Sequence, residues 1–231
     1  MSSQSSQDER LSVAAKLGYG VGDLSSGLML SVVMFYFLYF LTDVARLLPE
    51  LAGLAVMVGK VYDAVVDPVV GYLSDRTRTR LGRRRPYLLA AAVPFGAAFA
   101  LLWHSPAAAQ TAKFWYAAGT YVLLCTTLAV FNVPYSSLTA DLTRDYDERT
   151  SLTSYRMFFS ILGTLVAGAT TMLVVGLRPT EPEGFAFMGL VFGAVIALSG
   201  LACFAGTRER ATGAEDETSL PFLRGLVVAL A

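Results

Sequence analysis

Three charged side chains, Lys60, Asp63 and Asp67, interrupt the largely apolar stretch GKVYDAVVDPVVGYL, which ends at Ser74 and Asp75. Spacings of three and then four put them on one face of a helix, one above another, so that the Lys60 ammonium is expected to pair with Asp63 while Asp67 stays close. Two carboxylates one turn apart in a low dielectric hold a proton between them unless a bound cation neutralises them, so the pair is the start of a cation site. Pro68 lacks a backbone donor and frees a carbonyl near the acids that a cation can use. The competing reading is a salt-bridged triad that only fixes helix packing.

Other polar groups sit in apolar surroundings. Asp23 follows Gly18, Gly20 and Gly22, a series that lets a neighbouring helix approach closely, and it is either cavity-lining or interfacial. Arg156 in SLTSYRMFFS has a planar fork suited to a hydroxyl pair or a carboxylate, and a stem long enough to reach the membrane interface instead. In FNVPYSSLTADLT, Pro134 opens the helical ladder, and Asn132, Tyr135, Ser136 and Ser137 supply polar groups at that break. Tyr62, Tyr135 and Tyr155 offer rings with a hydroxyl tip, as carbohydrate sites use, although tyrosine is also frequent at membrane interfaces. The loop DRTRTRLGRRRP joins Asp75 to Arg76, Arg83, Arg84 and Arg85. Topology and lipid contact explain part of that charge, and the arginines beside Asp75 also suit a cytoplasmic gate of ion pairs that break as parts of the protein move. Asp145, Asp147 and Glu148 in the next such loop are the expected partners.

These residues must be positioned by helices. A chain of 231 residues that is 55% hydrophobic and 16% charged, with a mean hydropathy of +0.54, is too apolar for an ordinary soluble domain. Its apolar residues fall in six blocks near twenty residues long, at about 17–41, 51–73, 87–103, 114–138, 152–177 and 185–204, the length needed to cross a ~30 Å hydrocarbon core. The fold class expected is therefore all-α transmembrane, with a short polar tail over 1–16, a bundle over 17–206 and a polar linker over 207–219. Residues 220–231 read as the start of a seventh helix that breaks off before it can span a bilayer. Arg10, Lys16, Arg76, Arg78, Arg80, Arg83, Arg84, Arg85, Arg144, Arg149, Arg208 and Arg210 fall on one side of this topology, against Arg46, Lys113 and Arg178 on the other. The positive-inside rule then makes the N-terminus cytoplasmic, in a multi-pass protein of the cell (inner) membrane. The formal net charge is zero, which gives no reason to expect nucleic acid as a partner. Cys125 and Cys203 lie inside apolar blocks and read as small buried hydrophobes. The chain has no HExxH or GxSxG, and its one histidine, His104, sits at a helix end, so neither an enzyme nor a cofactor is expected.

The order of KLGYGVGD, LTDV, VYDAVVDPVVGYLSDRTRTRLGRRRP, FNVPYSSLT and ERTSLTSYR resembles the glycoside-pentoside-hexuronide:cation symporters of the major facilitator superfamily, the melibiose permease group, over nearly the whole chain. The resemblance implies the six-helix N-terminal half of such a transporter, a 3+3 repeat that works against a second six-helix half by alternating access. It carries the cation-binding carboxylates onto Asp63 and Asp67, the basic residue of the second helix onto Lys60 and the sugar-contacting arginine onto Arg156. Two sugar-binding carboxylates of the melibiose permeases fall on Gly27 and Asn132, and their tryptophan on Ser136. Two polar residues that assist Na⁺ fall on Val66 and Ala129, which leans the coupling ion toward H⁺.

The expected function is H⁺- or Na⁺-coupled transport of a sugar, glycoside or related polar solute. Asp23, Asn132, Tyr135, Ser136 and Arg156 would hold the solute, with membrane lipid and a second six-helix half as the further partners. A lysolipid carrier on the same fold is the nearer alternative, and a non-transporting six-helix scaffold or truncated product the more distant one.

Overall fold

The computed structural model describes residues 11–77, 79, 82–143 and 145–207, apart from the side chain of Asp141. Arg10, Arg78, Arg80, Arg144, Arg208, Arg210 and the expected linker and seventh-helix start beyond Thr207 lie outside the described residues.

The first span opens where Ser12 Oγ accepts from the Ala15 amide at 3.2 Å, capping α1 (Val13–Gly20). Val21 separates α1 from α2 (Gly22–Tyr39), which ends in a π-helical turn, Phe40–Val44. Arg46 then turns the chain with φ of 55°, in the left-handed region that costs a non-glycine residue about 1 kcal/mol. The carbonyls freed there are taken up from across the bundle: Lys113 Nζ donates to Ala45 O at 2.7 Å, and Gln110 Nε2 to Arg46 O at 2.9 Å.

Five longer helices follow: α3 (Pro49–Arg76), α4 (Arg85–Leu102), α5 (Gln110–Leu142), α6 (Tyr146–Val175) and α7 (Glu181–Gly206). Pro49 starts α3, and the Asp145 carboxylate caps α6 by accepting from the Glu148 amide at 2.9 Å. Among the described residues there is no strand, only an isolated bridge between Thr79 and Gly82. The helices run longer than the apolar blocks because their polar ends continue past the hydrocarbon. At 33 residues α5 is about 50 Å long against a core of ~30 Å. The first span and α4 to α7 are long and apolar enough to cross a membrane. α3 is long enough, but Lys60, Asp63 and Asp67 dilute its apolarity.

The largest interfaces are α4 with α7, α2 with α6, α3 with α5 and α4 with α5. Taking α1 and α2 as one span, this pattern maps onto itself when the first three spans are exchanged with the last three: α4/α7 is its own image, α2/α6 exchanges with α3/α5, and α4/α5 with the packing of the first span on α7. That is the arrangement of a 3+3 repeat, present in space without a matching sequence period.

Backbones meet closely at two of these interfaces. A Cβ on Gly27 of α2 would lie 2.1 Å from Ser160 O of α6, and one on Gly96 of α4 would lie 2.2 Å from Gly193 O of α7, so each helix approaches to a distance that only glycine permits. At the end of the bundle away from the arginine loop, Trp103 is enclosed by Phe37, Phe40, Phe99 and Phe185. Met34, Phe35, Val61, Leu165 and Leu173 are more than half exposed on the outside, a surface suited to lipid or other transmembrane helices. The chain is an integral membrane protein.

Candidate functional site

Two groups of polar side chains are built on the pair of interfaces that the repeat exchanges. In the first, α2 and α6 are brought together by Gly27, and this places Asp23 against Arg156. Arg156 Nε donates to Asp23 Oδ2 at 2.7 Å, with the two side chains 19% and 13% accessible. Arg156 Nη2 donates to Ser136 Oγ at 3.3 Å, and Ser136 Oγ in turn to Asn132 Oδ1 at 3.5 Å. The guanidinium lies 4.5 Å from the Tyr135 ring centroid and 5.8 Å from that of Tyr19. All five residues expected to hold a solute, Asp23, Asn132, Tyr135, Ser136 and Arg156, are thus in one connected cluster.

Within it Tyr135 is placed differently from a ring that stacks on a solute. It is fully buried, and its hydroxyl donates to Tyr19 O at 2.8 Å while the Tyr19 hydroxyl donates to Tyr135 O at 2.9 Å. Thr139 Oγ1 lies 2.6 Å from the Tyr19 hydroxyl. The two tyrosines cross-link α1 to α5 and form a floor beneath Arg156. Tyr19 was not among the expected site residues. Its spacing of four from Asp23, which puts both on one helix face, is the signal that would have found it. Arg156 is turned into the bundle, onto Asp23.

The second group lies along α3 and α5. Lys60 and Asp67 are exposed and Asp63 is half-buried. The expected pairing of Lys60 with Asp63 is not formed: among the described residues neither Lys60 nor the two acids has an ion pair within 4.0 Å. Side chains on a helix lean toward its N-terminus, so Lys60 leans away from Asp63, and a lysine that precedes its acid is the less favourable order. Behind this face the packing is tight. Gly59 sits under the Tyr121 ring, Cys125 is buried and adjoins Asp63, and Val66 and Val70 pack on Ala129. Thr126 Oγ1 donates to Val122 O at 2.8 Å, so the contact of 3.0 Å with the Tyr62 hydroxyl is a bond that Tyr62 donates. Tyr62 therefore serves the helix contact, and Cys125 is a buried thiol beside a carboxylate where the sequence suggested only a small hydrophobe.

The arginine loop gathers on the end of α3. Arg83 donates to Asp75 O at 2.6 Å, and Arg84 pairs with the Asp75 carboxylate at 3.5 Å while also donating to Ser137 O at the end of α5. Arg85 donates to Phe204 O at 3.1 Å and covers the Phe204 ring, and Arg76 stacks on Tyr72 at 4.1 Å. The acids of the other loop are engaged elsewhere. Asp145 caps α6, and Glu148 pairs with Lys16 of α1 at 2.8 Å, each side chain 12% accessible.

The MFS/sugar transport protein family matches this chain over residues 18–228. The provisionally named glycoside/cation symporter YagG of Escherichia coli K12 is 37% identical over 207 residues, covering 88% of this chain and 45% of its own length. The inner membrane symporter YicJ of the same strain is 36% identical over 216 residues, 93% of this chain and 47% of that protein. The sodium-dependent lysophosphatidylcholine symporter 1-B of Danio rerio is 38% identical over 170 residues, 73% of this chain and 32% of that protein. The chain spans less than half the length of these curated relatives. With six spans in a 3+3 arrangement, and with this match over most of its length, the chain belongs to the MFS/sugar transport protein family.

Proposed function

We propose that this chain is the N-terminal six-helix half of a cation-coupled symporter for a sugar, glycoside or related polar solute. The observation that carries the reading is the charge of α3: Asp63 and Asp67 lie on a face with a single exposed Lys60 that does not pair with them, leaving one negative charge uncompensated at membrane depth. Such a charge is stable only when a cation or proton joins it, so ion binding is linked to whether the face can be covered. A second six-helix half would cover that face, and rocking of the two halves would open the site to one side and then the other.

The solute sits against Arg156, Asp23, Ser136 and Asn132, with Tyr135 serving the guanidinium from below. The coupling ion is H⁺: a proton needs only one carboxylate oxygen, whereas Na⁺ needs several, and the neighbouring positions Val66, Val70 and Ala129 are packed apolar groups. The arginine-rich end is cytoplasmic by the positive-inside rule, in the cell (inner) membrane, and Asp75 with Arg76, Arg83, Arg84 and Arg85 forms the gate there. A second reading, a lysolipid or amphiphile as cargo, draws on the exposed apolar row Met157, Ile161 and Leu165 beside Arg156.

Uptake into membrane vesicles from cells expressing the full open reading frame tests this, with imposed pH and Na⁺ gradients and para-nitrophenyl glycosides as probes. Asp63→Asn and Asp67→Asn, each inserting normally, are expected to abolish gradient-driven accumulation. Accumulation unchanged in both variants overturns the cation site, and accumulation driven by Na⁺ alone overturns the assignment of the ion.

A further inference from the structure

An arginine at membrane depth is by itself a receptor for anions, because its fork matches the two oxygens of a carboxylate or phosphate. Here that capacity is already engaged. Asp23 Oδ2 occupies the Nε side of Arg156 at 2.7 Å, Ser136 Oγ stands 3.3 Å from Nη2, and the Tyr135 ring lies 4.5 Å from the guanidinium carbon. Among the described residues, Arg156 Nη1 and Asp23 Oδ1 have no partner. The pair therefore presents a charge-assisted donor and a charge-assisted acceptor within one cluster, with no net charge.

We infer that Asp23 determines the charge class of the solute, turning Arg156 from an anion receptor into a paired donor and acceptor that takes uncharged, hydroxyl-bearing solutes and turns carboxylates and phosphates away. The inference rests on the reading of this cluster as the solute site. A polyol satisfies both free atoms, one hydroxyl accepting from Nη1 and another donating to Oδ1. A carboxylate or phosphate group can only accept, so it gains Nη1, meets repulsion from Oδ1, and brings into a low-dielectric site a charge that no described residue of the cluster compensates. The two accessibilities, 19% for Arg156 and 13% for Asp23, leave room for contact with a solute but little for water to screen the acid. A positioning role alone would hold the guanidinium in place and would not select between a neutral and an anionic solute of the same shape.

The test uses matched probes that differ in a hydroxymethyl against a carboxylate: the para-nitrophenyl β-D-glucoside and β-D-glucuronide, and the corresponding galactoside and galacturonide. In vesicles carrying the protein from its full open reading frame, the neutral member of each pair is expected to be taken up at least about tenfold better. Asp23→Asn is expected to narrow or reverse that ratio by about tenfold or more, through a gain of the acidic probe, while Asp23→Glu keeps the original preference. Equal or better uptake of the acidic probes by the unaltered protein overturns the inference. So does an Asn variant in which both members of a pair fall in proportion. If Asp23→Asn does not reach the membrane, competition in the unaltered protein decides: a glucuronide that inhibits glucoside uptake as well as the glucoside itself does overturns the proposal. If the unaltered protein accumulates none of the four probes under either gradient, the sugar reading of the site fails, and this inference with it. Ion-coupled uptake of the glycosides with no discrimination by charge defeats the role of Asp23 alone.

Discussion

The interface of α2 with α6 and that of α3 with α5 occupy corresponding places in the two halves of the repeat, yet they treat charge in opposite ways. Across α2 and α6 an acid from one helix meets an arginine from the other at 2.7 Å, and the interface is electrically complete. Across α3 and α5, around Asp63 and Asp67, the charges of the described residues belong to α3, and the partner helix offers a thiol, a threonine and alanine there. Charges shared between helices fix a contact, while charges confined to one helix leave a demand for something that comes and goes. The proposed transport would draw on both: a frame that holds its shape and a site that is unsatisfied when empty.

The largest expected effect comes from removing the arginine of the balanced interface. Arg156→Leu leaves Asp23 as a second uncompensated acid and removes the donor to Ser136, so coupled uptake should fall by about a hundredfold or more. Uptake in vesicles with matched protein levels checks this. Next is the geometry that makes the two interfaces possible. Gly27→Ala puts a Cβ 2.1 Å from the Ser160 carbonyl, and backbone cannot move aside as a side chain can, so destabilisation should reach about 3 kcal/mol. Gly59→Ala meets the Tyr121 ring at the same nominal 2.1 Å, but a ring can rotate away, and about 1 kcal/mol is expected. Thermal stability in detergent of the two variants compares them, and equal losses would mean that the α3/α5 contact is as rigid as α2/α6. Tyr19→Phe, which loses its donor to Tyr135 O, should cost about 1 kcal/mol by the same measurement. The smallest effect belongs to Lys60→Ala. With no ion pair to lose it should change stability by no more than about 0.5 kcal/mol, while the dependence of uptake on the coupling ion shifts, because the surplus charge of the face formed by Lys60, Asp63 and Asp67 doubles.

Much of this was legible in the residues because lipid is an exacting solvent. Blocks near twenty apolar residues have one physical use there, and ionisable groups such as Asp63, Asp67, Asp23 and Arg156 stand out against them. What could not be read was which groups meet. The bond from Arg156 to Asp23 joins residues 133 apart, and no local spacing encodes it. Lys60 and Asp63 went the other way: spacing suggested a pair, and the lean of helical side chains kept them apart. Tyr135 looked like a binding ring from its place after Pro134, whereas packing against Tyr19 turned it into the core. The repeat itself left no periodic trace because α2/α6 and α3/α5 are related only by which helices touch, while their side chains differ.

That pattern of touching has a consequence for how the protein is made. Every large interface joins one of the first three spans to one of the last three, so the early spans leave the ribosome with none of their main partners. At ~5–20 residues per second, the 133 residues between Asp23 and Arg156 amount to roughly 7–27 s in which an acid waits in or beside the bilayer for its arginine. Newly made chains in that interval depend on being shielded by the insertion machinery, and a ribosome that stalls between the second and fifth spans leaves a product with its carboxylates exposed to lipid, a target for membrane quality control.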